Sequence, residues 1–167
     1  MPVHQGIFVY DTATSSLYPV ATDDARFSGF QYWVYSGAPP GVGSGDASME
    51  PPRWRVSAFV AVSGLSGDNG YQVAFKASTT DGASGIYLGQ GPGVQSRVLA
   101  VVRTGDAGSG IDPSLAMPVG SVVTSVGLER DGFRGGNLVL NAALLDPVTV
   151  AGWGGVYITA VPANLST

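Results

Sequence analysis

A short stretch of the sequence, EPPRWR, places a carboxylate, two guanidinium groups and an indole close together: Glu50, Arg53, Trp54 and Arg55. A sugar presents apolar C–H faces that stack on aromatic rings, and hydroxyls that hydrogen-bond to guanidinium and carboxylate groups. A further indole, Trp153, stands among small residues in AGWGG just before a predicted strand, which favours an exposed ring on a loop. These five residues together predict a glycan-binding surface. For Trp54 and Trp153, packing in a β core is the alternative.

Carboxylate pairs suggest a second chemistry, glycoside hydrolysis. Such enzymes place two Asp or Glu groups roughly 5–9.5 Å apart around the scissile bond. The chain has only two Glu, Glu50 and Glu129. Half of the ten Asp residues stand in turn contexts, where the side chain caps nearby backbone N–H groups: Asp11, Asp68, Asp81, Asp131 and Asp146. Turn capping is the preferred interpretation of these residues, and a hydrolase that uses Glu50 or an Asp pair is the alternative.

The residue types that dominate nucleophilic and transition-metal chemistry are scarce. The chain has no Cys, which excludes disulfides, thiolate metal sites and Cys nucleophiles. The single His, His4, stands close to the start of the sequence, where chains are usually poorly ordered. We therefore predict no catalytic residue, no metal site and no cofactor. Calcium is the alternative, because it prefers hard oxygen ligands and four Asp residues stand in predicted loops: Asp23, Asp24, Asp106 and Asp112.

Charge and hydropathy limit the classes of partner that the chain is expected to bind. The formal net charge is −4, from 8 Lys and Arg and 12 Asp and Glu. The basic residues are scattered and form no stripe, so the electrostatic footprint of nucleic-acid binding is missing. No apolar run approaches the ~20 residues that a membrane span needs. The first residues, MPVHQGIFVYD, lack the basic and apolar regions of a signal peptide, which is consistent with a cytosolic chain or with a mature or excised form.

The elements that would position these residues are β-strands. Apolar residues alternate or run in short blocks bounded by Gly, Asp, Asn and Pro, and the blocks are rich in Val, Ile, Tyr and Phe. Two long Gly- and Pro-rich loops, 36–52 and 104–120, interrupt them. The sequence predicts one all-β domain over 1–167 with ten strands: 6–10, 16–21, 31–36, 55–62, 71–78, 85–89, 97–103, 121–129, 137–145 and 155–161.

The chain also repeats itself. GIF at 6–8, GIY at 85–87 and GVY at 155–157 form one series, and the segments before them correspond as well. We infer a four-stranded unit of about 70 residues. It is best defined over 57–106, weaker over 122–161 and partial over 6–24. Antiparallel four-stranded repeats predict a propeller-like fold, with a β-sandwich as the alternative. A propeller ring needs roughly four to eight blades, so a propeller of this chain would be a homo-oligomer.

One stretch is similar to a known family. The pattern GYQVAFKA…GIYL…VVRTGD resembles the tandem repeats of bacterial surface proteins that carry the motif Asn-x-x-Gly-x-x-Ala-Phe. Ala74 and Phe75 fit the motif, whereas Asp68 and Tyr71 replace its Asn and Gly. The resemblance covers 57–106 and implies an extracellular, non-enzymatic, propeller-like protein. It brings no catalytic residues.

Three functions therefore stand as hypotheses. The first is a non-catalytic extracellular β-repeat module that binds glycans through its aromatic residues. The second is a self-assembling structural protein with no small ligand, in which copies complete each other's sheets. The third is the glycoside hydrolase. The expected location is extracellular or at the cell surface, and a cytoplasmic location is left open.

Overall fold

The computed structural model describes residues 6–22, 30–31, 34–35, 53–54, 61–64, 70–79, 83–91, 98–112, 118–163 and 165. Apart from one 3-10 turn at Gly108–Gly110, the regular elements in these residues are strands, so the all-β prediction is confirmed. The strands are β1 (Gly6–Asp11), β2 (Ser16–Thr22), β3 (Phe30–Gln31), β4 (Val34–Tyr35), β5 (Arg53–Trp54), β6 (Ala61–Gly64), β7 (Tyr71–Thr79), β8 (Ser84–Gly91), β9 (Val98–Arg103), β10 (Val122–Arg134), β11 (Asn137–Leu145) and β12 (Gly152–Ala160).

The strands form antiparallel sheets. The central sheet has the order β3-β7-β8-β9, with β6 also paired to β7, and the C-terminal sheet has the order β10-β11-β12. β1 pairs with β2 in a hairpin, and β4 pairs with β5. Within the described residues no sheet closes on itself, so the propeller arrangement stays a prediction.

The predicted unit 57–106 contains four strands that pair in chain order. β6 pairs with β7, β7 with β8 and β8 with β9, which makes an antiparallel meander. The predicted first strand, 55–62, is described only from Ala61 onward. Sequential antiparallel pairing needs only short connections, and the Gly- and Asp-rich segments between the strands supply them.

The central sheet lies between the hairpin and the C-terminal sheet. Successive side chains of a strand point to opposite faces, and the residues of β7 and β8 divide accordingly. One face packs on the hairpin, in a cluster of Ile7, Val20, Ala21, Val73, Phe75, Ala77 and Tyr87. The other face packs on the C-terminal sheet, through Ala74, Ile86, Leu88 and Val102 against Val126, Leu128, Leu140 and Leu144. The three layers explain why seven of the eight residues of β8 are buried.

Glycine allows the hairpin to approach β8 closely. A Cβ built on Gly89 would overlap Cγ1 of Val20, which is itself 1% exposed. Any larger residue would therefore push β2 away from the central sheet.

Two buried glutamines and a half-buried lysine join the central sheet to the C-terminal part of the chain. Gln72 Nε2 donates a hydrogen bond to the carbonyl oxygen of Pro162 at 2.7 Å, and Gln90 Oε1 accepts one from the N–H of Leu165 at 2.8 Å. Lys76 Nζ donates to the carbonyl oxygen of Val126 in β10 at 2.7 Å. Because buried polar groups need partners, these bonds specify which face of the central sheet receives the C-terminal sheet.

The first part of the long loop 104–120 is tied to β10 and to Ser121, the residue just before it. The N–H of Gly105 donates to the carbonyl oxygen of Val123 at 2.8 Å, and the N–H of Gly108 donates to that of Ser121 at 2.7 Å. The other long loop, 36–52, lies outside the described residues.

Candidate functional site

The predicted aromatic and basic cluster is described only in part. Arg53 and Trp54 form β5, where they pair with Tyr35 and Val34 of β4. Glu50 and Arg55 lie outside the described residues. The glycan-binding hypothesis for these four residues therefore stays a prediction.

Trp153 lies in a strand and not on a loop, so of the two alternatives that the sequence left open for this ring, packing against the core is the one found. It is the second residue of β12 and pairs with Leu144 of β11. Its side chain is half-buried against the apolar cluster between the central sheet and the C-terminal sheet. The flanking glycines suggested a loop because Gly is depleted in strands. Alternation along β12 instead places Trp153 and Tyr157 on the face that packs towards the central sheet.

A tyrosine ring covers a glycine at two corresponding positions. A Cβ built on Gly85 would lie 2.9 Å from Cε2 of Tyr87, and one built on Gly155 would lie 2.9 Å from Cζ of Tyr157. In both strands the ring thus lies over the glycine two residues earlier, which restores the apolar contact that glycine lacks. Burial raises the pKa of Tyr157, and the nearby carboxylate of Asp112 raises it further. The Gly-x-Tyr motif is therefore a structural feature of these strands.

Two predicted turn aspartates, Asp11 and Asp146, cap their turns in the same way. In each, Oδ1 accepts the backbone N–H two residues on at 2.9 Å. Oδ2 accepts a threonine hydroxyl three residues on, from Thr14 at 2.8 Å and from Thr149 at 2.5 Å. These bonds, with the threonine hydroxyl foremost, lower the pKa of both carboxyl groups. The turn interpretation is confirmed for these two residues, and the shared pattern Asp-x-x-Thr was visible in the sequence.

The other described carboxylates also make local contacts. Asp106 Oδ2 accepts the N–H of Arg103 at 2.7 Å, and Glu129 Oε1 accepts Nδ2 of Asn141 at 3.2 Å. Across the described ranges, no three or more His, Asp or Glu residues gather into a group that could hold a metal ion. Of the residues predicted for calcium, Asp23 and Asp24 lie outside those ranges. Both the calcium and the hydrolase hypotheses stay predictions.

The most conspicuous surfaces of the described residues are apolar. On β11 and β12 of the C-terminal sheet, the residues directed away from the central sheet form what we call the outer face: Val139, Asn141, Ala143, Gly154, Val156 and Ile158. Val156 and Ile158 are 71% and 72% exposed. At the other end of the stack, the hairpin presents what we call the hairpin face: Phe8, Tyr10 and Leu17, which are 48%, 59% and 61% exposed.

Sequence reasoning missed these two faces, although a signal was present. NLVLNAALL in β11 and GVYIT in β12 place apolar residues on both strand faces, a pattern that is typical of strands covered on both sides. Among the described residues, only the side of these strands that faces the central sheet is covered.

The outer edge of β12 adds a second open surface. β12 is the last strand in its sheet, and no described strand pairs with its other edge. Natural edge strands usually carry charges, proline or bulges that discourage further pairing. The sequence of β12, GWGGVYITA, has neither a charged residue nor a proline.

Comparisons with family models, with curated proteins and with solved structures find no match for the chain. The part of the chain that the structure describes has no helix long and apolar enough to cross a membrane.

Proposed function

We propose that the chain is a non-catalytic β-repeat module that functions by self-assembly. The observation that carries this proposal is the pair of exposed apolar surfaces, the outer face and the hairpin face, at opposite ends of the layered stack. Exposed apolar patches that are contiguous usually mark contact sites. An open strand edge without protective residues supports the same function.

In this proposal the three layers correspond to consecutive units of a propeller-like or stacked β array. Three features support the correspondence: face-to-face packing between layers, meander pairing in chain order, and the tyrosine-over-glycine arrangement in β8 and β12. Units of this kind bury their faces only against a neighbour. The resemblance to repeats of bacterial surface proteins supports an extracellular setting.

Light scattering after size exclusion, over a wide range of protein concentration, tests self-assembly. We expect a mass greater than that of one chain, and an average mass that rises with protein concentration. A mass of one chain at every concentration would contradict the proposal.

Glycan binding is the second candidate, favoured by the exposed rings of Phe8 and Tyr10 on one face of the hairpin. The test is a broad glycan array with the wild-type chain, followed by Trp54→Ala and Arg55→Ala. Trp153→Ala is a poor probe of binding, because this ring packs against the core and its loss would also destabilise the fold. Binding that survives the changes at Trp54 and Arg55 would move the site to the hairpin face.

A further inference from the structure

Two residues of the outer face, Val156 and Ile158, are exposed to solvent, whereas the residues at the corresponding positions of β8 are buried under another sheet. Gly85 and Tyr87 of β8 match Gly155 and Tyr157 of β12, since in both strands the ring lies over the glycine. The residues that alternate with them, Ile86 and Leu88 in β8, are 0% and 1% exposed because the C-terminal sheet covers them. The corresponding residues of β12 are Val156 and Ile158, which are exposed. The same strand pattern is thus covered by a β layer in one place and left open in the other.

The outer face is made mostly of small or apolar groups, and exposed Ser125 and Glu129 of β10 border it beside Ala143 and Asn141. Ile158 pairs with Val139, Val156 with Asn141, and Gly154 with Ala143. Asn141 is hydrogen-bonded to Glu129, so its amide already has a partner. A surface of this kind suits bulky apolar side chains from a partner.

The hairpin face supplies such side chains. Tyr10 and Leu17 are register partners on adjacent strands, and Phe8 lies two residues from Tyr10 on the same face. The opposite side of the hairpin packs on the central sheet through Ile7 and Val20. The outer face and the hairpin face therefore lie on opposite sides of the central sheet, so one molecule cannot bring its own two faces together.

Resting on the proposed function of self-assembly, we propose that the outer face of one molecule binds the hairpin face of a second copy of this chain. Within the molecule, each of the two apolar faces of the central sheet is covered by another β layer, and the contact extends this arrangement to the outer face. It joins two different surfaces, so it is heterologous. Such contacts produce a closed ring when the rotation between copies closes and an open fibre when it does not.

Two face-blocked variants test the proposal. Val156→Lys/Ile158→Lys places charges on the outer face, and Phe8→Lys/Tyr10→Lys places them on the hairpin face. Each variant alone is expected to be a monomer, because every copy carries the same blocked face. An equimolar mixture is expected to form a one-to-one dimer and nothing larger, since each variant retains the face that the other lacks. Val119→Lys, at a fully exposed valine that precedes β10 and belongs to neither face, is the control and should assemble like the wild type.

The outcomes separate the two proposals. A monomeric wild type would overturn self-assembly itself and this contact with it. If the wild type assembles but the mixture stays monomeric, the head-to-tail contact is wrong and self-assembly stands. If only the outer-face variant is monomeric and the hairpin-face variant assembles normally, two outer faces pair with each other instead, which also overturns the contact.

A second measurement keeps the proposal falsifiable if a lysine variant fails to fold. The chain has no Cys, so single cysteines can be introduced without background reaction. Ile158→Cys and Phe8→Cys, mixed and treated with a short bismaleimide, should form the mixed covalent dimer in preference to either self-linked dimer. A random distribution of the three products would overturn the contact.

Discussion

β8 and β12 share a sequence pattern but differ in what covers them. Both carry Gly-x-Tyr, and in both the tyrosine ring lies over the glycine. β8 is buried on both faces, between the hairpin and the C-terminal sheet, whereas no residue of β12 is fully buried. The local sequence therefore sets the strand and the direction of its side chains. The burial of those side chains depends on whether another β layer packs on the strand.

The difference has an energetic consequence. Full burial of a Leu or Ile side chain stabilises a fold by about 1.5–3 kcal/mol relative to exposure. Ile86 and Leu88 gain this stabilisation within one molecule, and Val156 and Ile158 do not. If copies assemble through the outer face, Val156 and Ile158 gain this stabilisation only in the assembly.

The largest difference in the free energy of unfolding is expected between the variants Leu88→Ala and Ile158→Ala. Leu88→Ala should lower the free energy of unfolding by about 2–5 kcal/mol, because it leaves a cavity between two sheets. Ile158→Ala should change it by less than about 0.5 kcal/mol at dilutions where the chain is monomeric. Urea denaturation monitored by circular dichroism measures both. Equal losses in dilute protein would mean that β12 is already covered within one molecule.

The next largest difference in stability is expected between alanine substitutions at Gly89 in β8 and Gly154 in β12. Gly89→Ala should cost about 1–3 kcal/mol, because the added methyl group overlaps Val20 and pushes the hairpin off the central sheet. Gly154 is the matched control in β12: a Cβ there comes no closer than 3.9 Å to any atom, the carbonyl oxygen of Ala142 being nearest. Gly154→Ala should leave stability unchanged or raise it slightly, since alanine restricts the unfolded chain more than glycine does. Melting curves of the two variants would test whether the hairpin is held at β8.

The β11–β12 turn gives a smaller, pH-dependent effect. The pKa of Asp146 is lowered in the folded state, chiefly by the hydroxyl of Thr149. The stabilisation is therefore present above the unfolded pKa of about 4 and is lost as the pH falls through the folded value. Asp146→Asn should melt below the wild type at neutral pH, and the two melting temperatures should converge in acid. Asp11→Asn makes the same test on the corresponding turn between β1 and β2. A difference in melting temperature between variant and wild type that stays constant at every pH would contradict the role of the carboxylate.

The smallest effect is expected at a surface ion pair next to the β10–β11 turn. Arg134 Nη2 lies 3.8 Å from Asp131 Oδ1, and both side chains are largely exposed. Arg134→Ala should change the free energy of unfolding by less than about 0.5 kcal/mol, because water screens such pairs. A larger loss would indicate that the arginine also contacts a neighbouring copy, which can be checked by repeating the measurement at high dilution.

Much of the strand pattern could be predicted from the sequence because it depends on local periodicity. The segment 137–145 coincides with β11, and 71–78 is one residue shorter than β7. The turn role of Asp146 was predictable for the same reason, since the side chain bonds to its own neighbours. The strand that contains Trp153 was predicted to begin only at residue 155, because its glycine neighbours suggest a loop when they are considered without the strand that pairs with them.

The sequence by itself determined the all-β class, the approximate positions of most strands, and the turns at Asp11 and Asp146, because each depends on contacts between residues that are near in the chain. Only the tertiary structure decided that the central sheet is covered on both faces, that Gln72 reaches Pro162, and that Val156 and Ile158 are left open. Those features depend on which layer packs on which. An apolar strand face is suited equally to any flat apolar surface, so its partner is chosen by the packing of distant segments.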